Sequence, residues 1–240
     1  MLDHILFLLL GLVIPAFLFV SSRNQARLAT PLRFTAQDRI RLYYGNGLFL
    51  YGLAALCLLA YWWQDRPLTE LGLGWGRMPY DVFSVGLLVA FVVAYLLDGI
   101  SQLQGAKNRA ETRTQAERIG FLPRNAGEFT HWLFLALAAG VGEEIVYRGF
   151  LINYFTGMLP QTGWAAVVAI VYPAVVFALG HFYQGTKAVI KIVGMAIIFG
   201  VFFYRTGSLW PLIMLHVAVD VVAGLASWYL LGRPLEGEGS

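Results

Sequence analysis

The sequence predicts an all-α protein: a polytopic membrane helix bundle of about seven transmembrane helices, within a range of six to eight. Of the 240 residues, 58% are hydrophobic and only 13% are charged, whereas soluble domains average roughly 45–50% and about 25%. The mean hydropathy of +0.65 demands more apolar burial than a core of this size supplies. The apolar residues also form runs of about 20, the length that crosses a hydrocarbon layer about 30 Å thick.

Seven apolar runs predict the spans in order. The first carries Asp3 and no Lys or Arg ahead of its apolar stretch, so we interpret it as a retained span rather than a signal peptide. Because the ends of the third run are approximate and the fourth run contains charged residues, the predicted number of spans is a range of six to eight. The runs lie near residues 4–20, 42–63, 82–98, 128–157, 163–182, 188–204 and 209–231.

The distribution of basic residues predicts the orientation. Lys and Arg concentrate before the second and fourth spans, whereas the opposite side holds Arg66, Arg77 and Arg205. Because basic loops remain in the cytoplasm, we place the N-terminus outside and the C-terminus in the cytoplasm of a multi-pass protein of the cell membrane. We predict N-terminal spans with basic cytoplasmic loops over 1–127, a catalytic membrane core over 128–231 and a short cytoplasmic tail over 232–240.

Two observations exclude other classes of protein. The net charge is +3, but no basic cluster with interleaved aromatic residues is present, so no nucleic-acid partner is predicted. The single cysteine, Cys57, excludes an intramolecular disulfide framework and a multi-cysteine metal site.

The polar segment 101–125 predicts a surface helix, either a solvated connector or a cytoplasmic lid.

Ionisable residues inside the predicted spans mark the candidate site. Each costs roughly 2.5–3.5 kcal/mol at a membrane helix centre, so pairing or function must offset them. The centres of spans one to three carry almost none, and six concentrate in the last 100 or so residues: Glu143, Glu144, Arg148, His181, His216 and Asp220.

Helical spacing predicts the partners within the fourth span. Glu144 and Arg148 are i,i+4 neighbours, acid before base, and can neutralise each other. Glu143 points about 100° away, which leaves its carboxylate without a local counter-ion. We therefore predict that Glu143 is a general base.

The other two polar spans supply histidines. Glu143 and His181 would lie at equal depth on antiparallel neighbours if the chain turned halfway between them, and Pro160-Gln161-Thr162-Gly163 is a strong turn signal at that point. Phe177 shares a helical face with His181. His216 and Asp220 are also i,i+4 neighbours, which presents both to one cavity.

A carboxylate and a neutral imidazole can hold and deprotonate a water molecule, which is hydrolytic chemistry. Attack on an amide carbonyl then requires donors to the developing oxyanion, and His216, with Asp220 if protonated, can supply them. Three alternatives stay open. Glu143, His181 and His216 are acceptable ligands for Zn²⁺, which would make a zinc-dependent membrane hydrolase. Acids and histidines in membranes also occur in proton-coupled carriers and in catalytically inactive scaffolds.

The three motifs together resemble a known family. Glu143-Glu144-x-x-x-Arg148, Phe177-x-x-x-His181 and His216-x-x-x-Asp220 match, in order and spacing, those of the CAAX protease and bacteriocin-processing (Abi) family. The resemblance covers roughly residues 128–224.

The resemblance implies an intramembrane glutamate endopeptidase that needs no cofactor, with zinc as the alternative. Its substrate would be a prenylated protein or another membrane-associated peptide; eukaryotic members remove the last three residues of prenylated CAAX proteins. The resemblance also implies roles by motif position. Glu143 would be the general base, and His181 would bind the same water molecule. His216 and Asp220 would form the oxyanion hole, supported by Glu144, Arg148 and Phe177.

One position departs from the pattern of the prenyl-protein proteases. They usually have asparagine where this chain has Asp220, and a neutral amide donates a hydrogen bond whereas an ionised carboxylate only accepts. Both CAAX-type and other membrane peptides therefore stay open as substrates.

Overall fold

The computed structural model describes residues 1–27, 34–160 and 162–232, and over these ranges the chain is helical, without β-strands. Part of the predicted turn, Gln161, and the tail from residue 233 onward lie outside the described residues. Eight helices follow one another in the described part: α1 (Leu2–Ala26), α2 (Ala36–Trp63), α3 (Val82–Leu103), α4 (Gly105–Ile119), α5 (126–158), α6 (Gly163–Leu179), α7 (Thr186–Thr206) and α8 (Trp210–Leu231).

Five of these helices, α1, α2, α3, α7 and α8, are long and apolar enough to cross a membrane. Helix α6 is apolar but shorter, and α5 contains the charged residues Glu144 and Arg148. The helical membrane architecture agrees with the sequence prediction, whereas the count of seven spans and the orientation stay predictions. Helix α3 faces outward, because only 11% of its apolar window is buried.

Helix α5 lies at the centre of the bundle, where α2 and α8 pack along it and α6 and α7 contact its second half. Small residues allow the close approach to α2. A Cβ on Gly142 would lie 2.8 Å from the backbone oxygen of Leu50, and one on Gly47 would lie 2.5 Å from the ring of Phe134. Any side chain at these two glycines would push α2 and α5 apart.

A buried ion pair fixes the beginning of α5 against α2. The Arg39 guanidinium donates to both carboxylate oxygens of Glu128, at 2.9 and 2.7 Å. Asn125 caps the helix by accepting from the Glu128 backbone N–H at 2.9 Å. Since a bidentate pair is directional, it sets the position of α5 upstream of the candidate site.

The remaining loops and caps follow local chemistry. Asp81 caps α3, because its carboxylate accepts from the Ser84 backbone N–H at 3.0 Å and from the Ser84 hydroxyl at 2.7 Å. These bonds, with Arg205 nearby, lower the pKa of Asp81 to about 2. The polar segment predicted as a surface helix forms α4, which ends at Gly120 with φ of 80°, a conformation that favours glycine.

Candidate active site

Helix α5 changes its winding at the candidate site. It is α-helical over Ala126–Glu143, π-helical over Glu144–Ile152 and α-helical again over Asn153–Met158. Every residue of the π segment is buried. Single π turns inside α-helices are rare and frequently lie at functional sites. Glu143 is the last residue before this turn and Glu144 is its first.

The predicted pair between Glu144 and Arg148 is confirmed. Arg148 Nη1 donates to Glu144 Oε1 at 2.8 Å, and the two side chains are 2% and 0% exposed. The guanidinium lies over the ring of Phe177, with Cζ 4.9 Å from the ring centroid, a distance at which cation–π attraction contributes. Arg148 therefore connects the first motif to the second.

His216 lies between the two acids of the first motif. Its Nδ1 is 2.8 Å from Glu144 Oε1, and its Nε2 is 3.4 Å from Glu143 Oε2. Because Glu144 is paired with Arg148, its carboxylate accepts, and His216 Nδ1 carries the donated proton. The other ring nitrogen, Nε2, faces Glu143.

These contacts change one expectation from the sequence. Glu143 was expected to lack a local counter-ion, and within α5 it does. Its neighbour comes instead from α8, 73 positions along the chain, because His216 Nε2 lies 3.4 Å from Glu143 Oε2. Helical spacing within one span cannot reveal a partner on another helix.

The structure places Asp220 beside His216, as the i,i+4 spacing predicts. Asp220 Oδ2 is 3.9 Å from His216 Nε2. The Asp220 side chain is 27% exposed, against 5% for His216. Asp220 is therefore the more open of the two polar groups that α8 supplies.

His181 lies just beyond its helix rather than inside it. The fifth span was predicted to continue to residue 182, but α6 ends at Leu179. His181 Nδ1 is 2.9 Å from the Phe177 carbonyl oxygen. Since a carbonyl only accepts, Nδ1 carries the proton, and Nε2 of the neutral ring has the free lone pair.

Phe177 connects the two histidines. Its ring centroid is 4.7 Å from that of His181 and 6.1 Å from that of His216. Among the described residues, no ion pair within 4.0 Å joins His181 to Glu143, so the predicted pairing of these two on one water stays a prediction. Phe177 was expected to be a neighbouring wall, and the structure places it between the motifs.

Sequence reasoning missed the residues that hold α8 in place. Trp132 Nε1 donates to the Asp220 backbone oxygen at 2.9 Å, and the Tyr95 hydroxyl donates to the adjacent Val219 oxygen at 3.1 Å. Two consecutive carbonyls are thus bonded from α5 and α3, which fixes α8 at the level of the site. The one feature of the sequence that indicates this contact is Gly224, four residues after Asp220, because a glycine leaves room for the indole of Trp132.

Gly224→Ala is expected to lower the free energy of unfolding by about 1–3 kcal/mol, as overpacking does, and to reduce turnover. The added Cβ would lie 2.5 Å from Trp132 Nε1, which displaces the indole from the Asp220 carbonyl. Gly194→Ala is the matched control, because nothing lies within 4 Å of a Cβ there, and helix propensity predicts a neutral or stabilising effect. Thermal unfolding of both variants tests this, and equal stability would contradict it.

The described residues contain no group of three or more His, Cys, Asp or Glu side chains placed to hold a metal ion.

The fold and the site define a class: a helical protein with membrane-length helices and a buried cluster of carboxylates and imidazoles. Comparison with protein families narrows this class. Residues 125–222 match the family model described as Rce1-like, type II CAAX prenyl endopeptidase. The matched range contains all seven predicted site residues, so the match agrees with the family that the three motifs indicate. Rce1-like proteins are proteases. No curated protein and no solved structure matched the chain.

Proposed function

We propose that this protein is an intramembrane endopeptidase in which Glu143 activates a water molecule. The observation that carries the proposal is the arrangement around His216. Its ring lies within 3.9 Å of Glu143, Glu144 and Asp220, and the rings of His181 and His216 both contact the Phe177 ring. Helices α5 and α8 thus bring three acids to one imidazole, and the segment just beyond α6 supplies the second imidazole.

In the proposed reaction, Glu143 accepts a proton from water while the water oxygen attacks the scissile carbonyl carbon. His181 Nε2, whose lone pair is free, accepts a hydrogen bond from the same water. The tetrahedral intermediate collapses when the carbon–nitrogen bond breaks, and Glu143 returns the proton to the leaving amine. The products are a carboxylic acid and an amine, which become a carboxylate and an ammonium when the acid gives its proton to the amine, so the atoms balance and Glu143 is regenerated.

The oxyanion would be stabilised from α8. The bond from His216 Nδ1 to Glu144 at 2.8 Å fixes the ring with Nε2 directed away from Glu144. In the proposal the ring is an imidazolium, so Nε2 also carries a proton and can donate a hydrogen bond. In this proposal Arg148 pairs with Glu144, and Glu144 orients His216. A preorganised donor of this kind contributes about 2.7–4 kcal/mol in acyl-transfer enzymes.

We propose a prenylated CAAX protein or another membrane-associated peptide as the substrate. The family match to CAAX prenyl endopeptidases supports the first of these. The protein would lie in the cell membrane as a multi-pass protein, with seven spans, an outer N-terminus and a cytoplasmic C-terminus. The catalytic core would comprise residues 128–231.

The test is incubation of the purified protein with a prenylated CAAX peptide, with the products identified by mass spectrometry. We expect cleavage after the prenylated cysteine and the release of a tripeptide. A parallel reaction with a strong chelator tests the zinc alternative, since full activity in chelator would exclude a zinc hydrolase. Absence of cleavage in this peptide and in unprenylated membrane peptides would contradict the proposed function.

Asp220→Asn is expected to keep or raise kcat/KM for this peptide, whereas Asp220→Ala is expected to lower it. An amide always offers N–H donors, and a carboxyl offers one only when it is protonated. The side chain lies 3.9 Å from His216 Nε2, where the donor is required. Equal losses in the two variants would contradict a donor role for Asp220.

A further inference from the structure

Tyr147 follows Glu143 by four residues along α5, just as Arg148 follows Glu144. Both pairs are four residues apart in or beside the π turn, and the second pair is in contact at 2.8 Å. Side chains of helical residues lean toward the helix N-terminus, over the preceding turn. The Tyr147 phenol therefore lies over the turn in which Glu143 stands.

The ring of Tyr147 packs against the aromatic ring that joins the histidines. Its centroid is 5.1 Å from that of Phe177, with an angle of 70° between the planes. The rings of His181 and His216 contact the same phenylalanine. Tyr147 is therefore part of the site, although the three sequence motifs do not include it.

The hydroxyl of Tyr147 has no partner among the described residues, although the side chain is only 8% exposed. Two other tyrosines use their hydroxyls to bond neighbouring segments: Tyr43 donates to Phe121 O at 2.6 Å, and Tyr172 donates to Gly11 O at 2.7 Å. Phenylalanine would pack against Phe177 equally well, so packing does not account for the hydroxyl.

We propose that Tyr147 is a further catalytic residue, whose hydroxyl donates a hydrogen bond to the water that Glu143 deprotonates. This inference rests on the proposed function. In this arrangement Glu143 accepts one water proton, the phenol binds one lone pair of the water oxygen, and the other lone pair attacks the carbonyl. The phenol remains neutral throughout and no proton leaves it.

The position of Tyr147 favours the water over the oxyanion. The donors assigned to the oxyanion, His216 and Asp220, come from α8, whereas Tyr147 belongs to α5, the helix that carries the base. A donor beside the base can hold the nucleophile, and the donors of α8 remain free for the carbonyl oxygen.

Tyr147→Phe tests this inference, because it removes one oxygen atom and keeps the ring. With the prenylated CAAX peptide, we expect kcat to fall about 10- to 100-fold while KM changes by less than about twofold. The thermal midpoint is expected to be unchanged, since the substitution removes no hydrogen bond within the described residues. Tyr61→Phe is the control. Tyr61 is 1% exposed and lies near the C-terminal end of α2, so the kinetics of this variant should equal those of the wild type.

Three outcomes would overturn the inference. Wild-type kcat in Tyr147→Phe would show that the hydroxyl takes no part in the reaction. A change confined to KM would show that it contacts the peptide instead of the water. A large fall in thermal midpoint would show a structural hydroxyl. Failure of the proposed function is a different result, because the wild-type protein itself would then show no Glu143-dependent cleavage.

Discussion

Glu143→Gln is expected to reduce turnover of a prenylated CAAX peptide by about 10²–10⁴-fold, the range for loss of a general base. The amide has the size of the carboxylate but cannot accept a proton at neutral pH. The side chain is 14% exposed and contacts His216 Nε2 at 3.4 Å, and an amide can form the same contact. Folding should therefore be retained while the chemistry is lost.

The control for this variant is Glu70→Gln. Glu70 pairs with Arg66 at 2.9 Å, and its side chain is 47% exposed, so its neutralisation should leave turnover within about twofold of the wild type. Rates are measured at saturating peptide, with thermal unfolding of each variant alongside. A Glu143→Gln protein that cleaves at the rate of the Glu70→Gln protein would exclude Glu143 as the base.

Glu144→Ala is expected to lower the free energy of unfolding by about 3–5 kcal/mol, which is typical when one partner of a buried ion pair is removed. It leaves the Arg148 guanidinium, 2% exposed, without its carboxylate. It also removes the acceptor of His216 Nδ1 at 2.8 Å. Denaturant unfolding of the detergent-solubilised protein measures the loss.

The double variant Glu144→Ala with Arg148→Met separates charge from packing. Methionine is apolar and flexible, so it can fill the space against Phe177 without a buried charge. We expect the double variant to recover most of the stability lost in the single one. Glu70→Ala, which breaks an exposed pair, should cost less than about 1 kcal/mol. If Glu144→Ala cost no more than this control, the buried pair would not stabilise the fold.

Contacts within one helix were predictable from the sequence. The Glu144–Arg148 pair and the proximity of His216 to Asp220 follow from i,i+4 spacing alone, because a helix fixes the relation of residues four apart. The turn between α5 and α6 was predictable as well, since Pro160 and Gly163 mark a break between two apolar runs.

Contacts between helices were not predictable, because they depend on how each helix is rotated. Nothing in the spacing of α5 or α8 indicates that His216 Nδ1 bonds Glu144 while Nε2 faces Glu143. The indole of Trp132 bonds an oxygen 88 positions away. The end of α6 before His181 was missed because the sequence there remains apolar, and hydropathy does not register where helical hydrogen bonds stop.

The central claim is that Glu143 and His181 act on the same water, and a double-mutant cycle tests it directly. Turnover of the prenylated CAAX peptide is measured for the wild type, Glu143→Gln, His181→Ala and the protein with both changes. Residues that act as one unit are not additive, so we predict that the double variant is no slower than the slower single variant. Losses that multiply in the double variant, or wild-type turnover in either single variant, would contradict the account.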